Sequence, residues 1–148
     1  MKTYNDNATA SDTLYVSHIN PNGSNDAWVR QTGAILPAPR YCEGMVAVGN
    51  TVFVVGGRAI GGVGQTDVWR ATFNTSTGTL GAWSTVTDAQ LPDGVRYHDV
   101  VYSPTARRIY VVGIRRQSDL AISNEAYISS ELFAPPPSNA AKNWEMFQ

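Results

Sequence analysis

Short apolar runs separated by turn residues organise this chain, and no stretch holds a sustained helical period. Met45 to Val48 and Val52 to Val55 are nearly continuous apolar runs, the pattern of strands buried on both faces, and Gly49-Asn50 between them signals a two-residue hairpin. Trp69, Ala71 and Phe73 then alternate with Arg70 and Thr72, which predicts a strand with one apolar face, followed by a turn at Thr77-Gly78. Trp83 to Thr87 carries Ser84, Thr85 and Thr87 beside its tryptophan, as suits an outermost strand that faces water. The expected fold class is all-β, built from four-stranded antiparallel sheets graded from apolar inner strands to polar outer ones.

This unit repeats. A short apolar strand with an aromatic recurs as Leu14-Tyr15-Val16, Val68-Trp69-Arg70 and Ala126-Tyr127-Ile128, at spacings of 54 and 58 residues. A tryptophan follows each, at Trp28, Trp83 and Trp144, at spacings of 55 and 61. Between them, Leu36-Pro37, Arg40-Tyr41 and Val52 to Gly57 have second copies in Leu91-Pro92, Arg96-Tyr97 and Ile109 to Ile114. The spacing grows from 55 to 56 to 57 along this block, which places an insertion in the turn around Ser103-Pro104-Thr105. The expected organisation is a polar N-terminal segment at 1–11, the outer half of one unit at 12–32, a whole unit at 40–87 and another at 96–148.

The Gly-Gly after an apolar strand, the aromatic strand beyond it and the outer tryptophan together resemble the kelch repeat. More narrowly, Thr77-Gly78-Thr79-Leu80-Gly81-Ala82-Trp83 and Leu91-Pro92 to Tyr97-His98 resemble the linking stretches of bacterial kelch propellers. The resemblance covers roughly residues 12 to 132. It implies a β-propeller of which this chain holds about two and a half blades, against the roughly four to eight that a closed ring uses. The ring is then completed by a longer chain, by further copies or by another subunit. Departures from the family are Gly113-Ile114 in place of Gly-Gly, Cys42 where the second copy has His98, and Pro135-Pro136-Pro137 in place of a tight turn.

Composition narrows the partners. With 148 residues, 43% hydrophobic and 16% charged, the chain has the means to bury a core. Eleven Lys+Arg against 12 Asp+Glu give no basic stripe for phosphates, so no nucleic-acid partner is expected. One cysteine, Cys42, forms no internal disulfide and no multi-thiolate zinc site, and it reads as a buried thiol. No apolar run approaches the roughly 18 residues of a membrane-spanning helix, and Met1 to Ser11 lacks the apolar core of a secretory signal. If the protein is exported, its signal lies upstream or has been removed.

Candidate chemistry is sparse. His98-Asp99 has the composition of an acid–base pair, but neighbours on a strand point to opposite faces, so His98 reads as structural. Arg40 and Arg96 recur with Tyr41 and Tyr97 where the inner strands begin; they read as ties between units, with contact to an anionic ligand in a central channel as the alternative. Gly61-Gly62-Val63-Gly64 lacks the following helix of a phosphate cradle and reads as a loop. Arg58 beside it, with Arg115, Arg116 and Gln117 in the next unit, marks the loop surface where binding is expected. Asn7, Asn22 and Asn74 begin glycosylation-type triplets that chance also produces in so Asn/Ser/Thr-rich a chain. The recurrent tryptophans read as packing anchors.

No metal, cofactor or catalytic constellation is expected. The leading functional expectation is a noncatalytic kelch-propeller scaffold that binds a protein or a glycan, outside or on a bacterial cell. Two alternatives stand beside it. One is a subunit of a surface filament or large assembly. The other is a piece of a kelch-propeller enzyme of the sugar-oxidase or sialic-acid mutarotase type; the oxidase version requires a Tyr, Cys and His set around copper.

Overall fold

The computed structural model describes residues 10–130 and 144–147. Every element among them is a β-strand, every pairing is antiparallel, and there is no helix. The chain is all-β, as its apolar periodicity predicts.

A first hairpin-like pair, β1 (Tyr15–Val16) and β2 (Val29–Arg30), forms a two-stranded sheet. Next come β3 (Gly44–Val48) and β4 (Thr51–Val55), joined through Gly49-Asn50 with Gly49 in the left-handed region at φ 57°. β5 (Val68–Asn74) pairs with the far side of β4. Its outer edge is shared by two short strands, β6 (Thr79–Leu80) and β7 (Ser84–Thr85). The outer strand expected over Trp83 to Thr87 is therefore shortened to Ser84–Thr85, and β6 pairs β5 ahead of it. Asn74 accounts for β6: its Oδ1 accepts the N–H groups of Ser76 and Thr77, which turns the chain sharply back so that Thr79 and Leu80 pair with the end of β5.

The second large sheet repeats this order. β8 (Val95–Arg96) leads into β9 (Asp99–Ser103) and β10 (Arg108–Val112); β11 (Arg115–Arg116) pairs with β8; β12 (Ala126–Ser129) and β13 (Trp144–Phe147) complete a four-stranded sheet in the order β13-β12-β10-β9. The Ser103–Arg108 register leaves a four-residue turn where the first sheet has two, so the insertion sits where the spacing places it. The Pro135-Pro136-Pro137 excursion lies outside the described residues.

Backbone pairing makes the repeat exact in register. Tyr15 faces Arg30, Trp69 faces Thr85 and Tyr127 faces Met146, so the three aromatics hold one position in three units. Lead-in segments are equally alike: Ser11 bridges Arg40 as Gln65 bridges Val95. One expectation shifts by a residue. Tyr41 bridges Arg58 and is followed by a left-handed Cys42, whereas Arg96 pairs Arg115 and is followed by a left-handed Tyr97. Arg96 thus occupies the backbone position of Tyr41, and Tyr97 that of Cys42: the offset between the units is still 55 at the starts of β3 and β9, Gly44 and Asp99, and both extra residues of the second unit lie in the turn between Ser103 and Arg108.

Two apolar clusters hold the sheets together. Between the large sheets, Val48, Phe53, Val55 and Val68 from the first meet Ile109, Val111 and Tyr127 from the second. On its other face the first sheet packs Val54 and Trp69 against Leu36, Leu14 and Ala38. Fully burying each such side chain contributes about 1.5–3 kcal/mol. The inner strand β3 is not buried on both faces as its composition suggests: Met45 is 48% exposed and Ala47 is exposed. The reason is that the first unit has only β1 and β2 among the described residues, so no inner strands cover that part of the face.

Candidate functional site

At the ends of β4 and β8, backbone pairing runs on beyond the strands and draws three loops together. The Tyr41 N–H donates to the Arg58 carbonyl at 3.1 Å and the Arg58 N–H returns the bond at 2.7 Å. The Gly57 N–H donates to Val95 at 3.0 Å, and the Gln117 N–H donates to Gly94 at 2.7 Å. Gly64 and Gly94 meet backbone to backbone, where a Cβ on Gly94 would strike the Gly64 carbonyl.

Arg58 sits at the centre. Its guanidinium carbon lies 5.0 Å from the Tyr41 ring centroid and 5.8 Å from that of Tyr97. Nε donates to the Gly62 carbonyl at 3.0 Å, and Nη1 donates to the Tyr97 hydroxyl oxygen at 2.8 Å. Each cation–π contact at such a surface contributes about 0.5–1 kcal/mol. Two turns of sequence therefore converge: Tyr41 and Arg58 come from one unit and Tyr97 from the next. Tyr97 is exposed and held at φ 55°, a conformation uncommon for an aromatic residue, which Cys42 shares at φ 54° in the same position of the preceding unit.

Arg96 is buried beneath this surface. Its Nη1 donates to the Gly62 carbonyl at 2.5 Å and to Gln117 Oε1 at 3.0 Å, and the same Oε1 accepts the Gly64 N–H at 2.7 Å. It ties the glycine loop of one unit to the loop of the next, in keeping with its reading as a tie. Arg40, also buried, lies apart from the cluster: Nη2 donates to Asp67 Oδ2 at 2.7 Å, and its guanidinium stands 4.4 Å from the Trp69 ring centroid. Burial draws its pKa down and Asp67 opposes that, leaving a guanidinium that stays charged.

The other candidates divide. His98 is buried and donates from Nε2 to the Val55 carbonyl at 3.0 Å, while Asp99 is exposed on the strand beyond it, so the two form no acid–base pair. Arg116 is committed within its own loop, to Asp119 at 2.5 Å and Glu125 at 2.9 Å. The Ala121 N–H, together with the Arg116 guanidinium, holds the Asp119 carboxyl below its usual range. Arg115 donates from Nε to the Leu120 carbonyl at 3.0 Å. Of the eight residues singled out by sequence, the structure brings Tyr41, Arg58 and Tyr97 together at the surface with Arg96 directly beneath, and places Arg40, His98, Arg115 and Arg116 in contacts of their own.

Sequence reasoning missed a groove of about 480 Å³ between the first hairpin and the Asn74–Thr79 turn, lined by Val16, Ile19, Val29, Gln31 and Phe73. His18 Nδ1 lies 3.7 Å from Asp26 at its edge. Its one signal in the sequence is the isolated Ile19 within the polar stretch from Ser17 to Asp26. Among the described residues no group of three or more His, Cys, Asp and Glu side chains could hold a metal ion. No protein-family model matches the chain, and no curated protein matches it.

Proposed function

We propose that the repeating sheets are blades of a kelch-type β-propeller, and that the protein is a noncatalytic binding scaffold acting outside or on the surface of a bacterial cell. What supports the blade reading is the repetition itself: antiparallel strands in chain order, four in the second large sheet and five in the first, where β6 and β7 share the outer edge of β5, with the two sheets packed face to face and the same register in successive units. What carries the binding reading is the guanidinium of Arg58 held between Tyr41 and Tyr97 at the junction of two units. Loops fixed by a rigid scaffold are where such proteins bind.

The chemistry of this junction favours a glycan. The exposed Tyr97 ring offers an apolar plane for the C–H face of a sugar. Its hydroxyl already accepts from Arg58, which leaves its own proton to donate outward. Glycan-array screening of the full chain, followed by calorimetry, tests this. Tyr97→Ala is expected to weaken the best glycan about tenfold, the size of one well-placed aromatic contact. A glycan affinity unchanged in Tyr97→Ala overturns the assignment of the site. Capture of a protein ligand that Tyr97→Ala abolishes, with no glycan bound, selects the protein-binding form of the scaffold instead.

A further inference from the structure

Asn22-Gly23 is the one asparagine–glycine pair in the chain. It stands in the loop between β1 and β2, in a turn closed by the Asn20 N–H donating to the Ser24 carbonyl at 2.8 Å and the Gly23 N–H donating to the Asn20 carbonyl at 2.9 Å. Gly23 holds φ 82°, a conformation open to glycine without strain, and a Cβ placed there would meet nothing within 4 Å. Every residue from Pro21 to Asp26 is exposed. That exposure belongs to the loop and not to its place at one end of the row of sheets. The matching turn of the next unit extends from a sheet packed on both faces, and its residues Thr75, Ser76 and Thr77 are exposed too.

The turn also activates the Asn22 side chain. Its Oδ1 accepts from the Ser24 N–H at 3.0 Å and from the Ser24 hydroxyl at 2.8 Å. Two donors on one carbonyl oxygen draw electron density from Cγ and match the negative charge that builds on the oxygen when a nucleophile adds there. The backbone nitrogen of Gly23 is such a nucleophile, able to close a succinimide ring on Cγ with no side chain of its own to hinder it. Its proton is held by the Asn20 carbonyl, so a base must remove it. Two other pairs in the chain each lack one of these conditions. Asn74 is exposed and its Oδ1 accepts two N–H groups, but the next residue is the β-branched Thr75. Asp93-Gly94 has the glycine, but Gly94 lies against the Gly64 backbone and Asp93 is bound to Ser118.

We propose that Asn22 is a site of spontaneous deamidation, promoted by the Ser24 hydroxyl. The Gly23 nitrogen bonds to Asn22 Cγ, the Cγ–Nδ2 bond breaks, and Nδ2 leaves as ammonia with a proton in place of the one the Gly23 nitrogen gives up. Water then opens the succinimide at either carbonyl, leaving aspartate or isoaspartate at position 22; nothing is oxidised or reduced. Aspartate keeps an acceptor for Ser24, whereas isoaspartate carries the main chain through Cγ and lengthens the turn. Either product adds a negative charge to a loop whose one acid is Asp26, and His18, Ile19 and Asp26 of that loop wall the groove facing the Asn74–Thr79 turn. The modification is a one-way change of charge and shape beside the groove, and it is independent of the glycan reading.

Peptide mass mapping of the full folded chain, incubated at neutral and at mildly alkaline pH, tests it by reading the exchange of an amide NH2 for OH; enzymatic methylation of isoaspartate identifies the second product. The Asn22 peptide is expected to convert first and faster at the alkaline pH, with isoaspartate among the products, while the Asn74 peptide stays intact. Ser24→Ala, shown by its melt to be folded, is expected to slow the conversion several-fold, and Ser24→Thr, which keeps a hydroxyl, to restore it. Two results overturn the proposal: an Asn22 that is still intact when Asn74 has converted, or a Ser24→Ala chain that converts at the wild-type rate or faster.

Discussion

The Nε2–H of His98, in the segment between β8 and β9, donates to the carbonyl oxygen of Val55 at the end of β4, pinning the second large sheet to the first. The bond selects one tautomer, and Nδ1 is buried with no hydrogen-bond partner among the described residues. A proton on Nδ1 would create a buried cation. Burial therefore holds the pKa of His98 below its ordinary value of 6.5, with the Val55 carbonyl and Asp99 offsetting only part of the effect.

A pH dependence with a defined sign results. The unfolded chain takes up a proton near pH 6.5 that the folded chain resists, so stability is complete above that value and falls as pH drops toward the depressed folded pKa. Urea unfolding at about pH 7.5 and about pH 5.5 is expected to show a lower midpoint at the acid value. His98→Gln keeps an N–H for Val55 and removes the titration, so its acid loss should be smaller. Equal losses in both proteins exclude His98 as the source.

Gly44 is close enough to Val100 across the sheet interface that a Cβ would overlap the Val100 side chain. Both atoms belong to long strands, which have little room to separate. Gly44→Ala is expected to cost about 1–3 kcal/mol, the usual cost of overpacking, read as a lower urea midpoint with an unchanged slope. Pairing the change with Val100→Ala should restore part of the loss, since the smaller side chain vacates the contested space.

Much of this architecture is legible in the sequence because it rests on local patterns. Alternation at Trp69, Ala71 and Phe73, the Gly49-Asn50 turn and the spacings of 54 to 61 each report a backbone feature, and each has its counterpart in the strands. What the sequence hides is the consequence of neighbours. Met45 and Trp28 look like core residues, yet both are exposed because no sheet covers them, and composition carries no record of that. The site was half visible for the same reason. Arg58 and Tyr97 are separated by 39 residues, and only the stacking of two units brings a guanidinium to a phenol.

Arg40 offers a test of how the buried charge is held. Its guanidinium is almost wholly enclosed while Asp67 keeps 30% of its side-chain exposure. Removing the carboxylate leaves the cation buried beside Trp69, a loss of about 3–5 kcal/mol for fully buried pairs, to be discounted here for the partial exposure of Asp67. Asp67→Ala is therefore expected to cost about 2 kcal/mol. Arg40→Met, which removes the charge and keeps an apolar stem over Trp69, should cost less, and Asp67→Ala in the Arg40→Met background should cost least. Chemical denaturation of the four proteins completes the cycle, and additive losses would show that the pair is not coupled.

The sharpest comparison is between Tyr127 and Tyr15, the same residue type at the same position of the repeat. Tyr127 is enclosed between the two large sheets, whereas Tyr15 is 56% exposed. Truncating a buried aromatic leaves a cavity as well as losing its transfer free energy, so Tyr127→Ala is expected to cost about 3–5 kcal/mol. Tyr15→Ala leaves no cavity and should change the stability of the dilute monomer by no more than about 0.5 kcal/mol. Urea midpoints at low protein concentration separate the two. Position in the repeat would otherwise predict equal effects, so a difference of this size assigns the stabilisation to cover by the preceding sheet and not to the strand the tyrosine stands on.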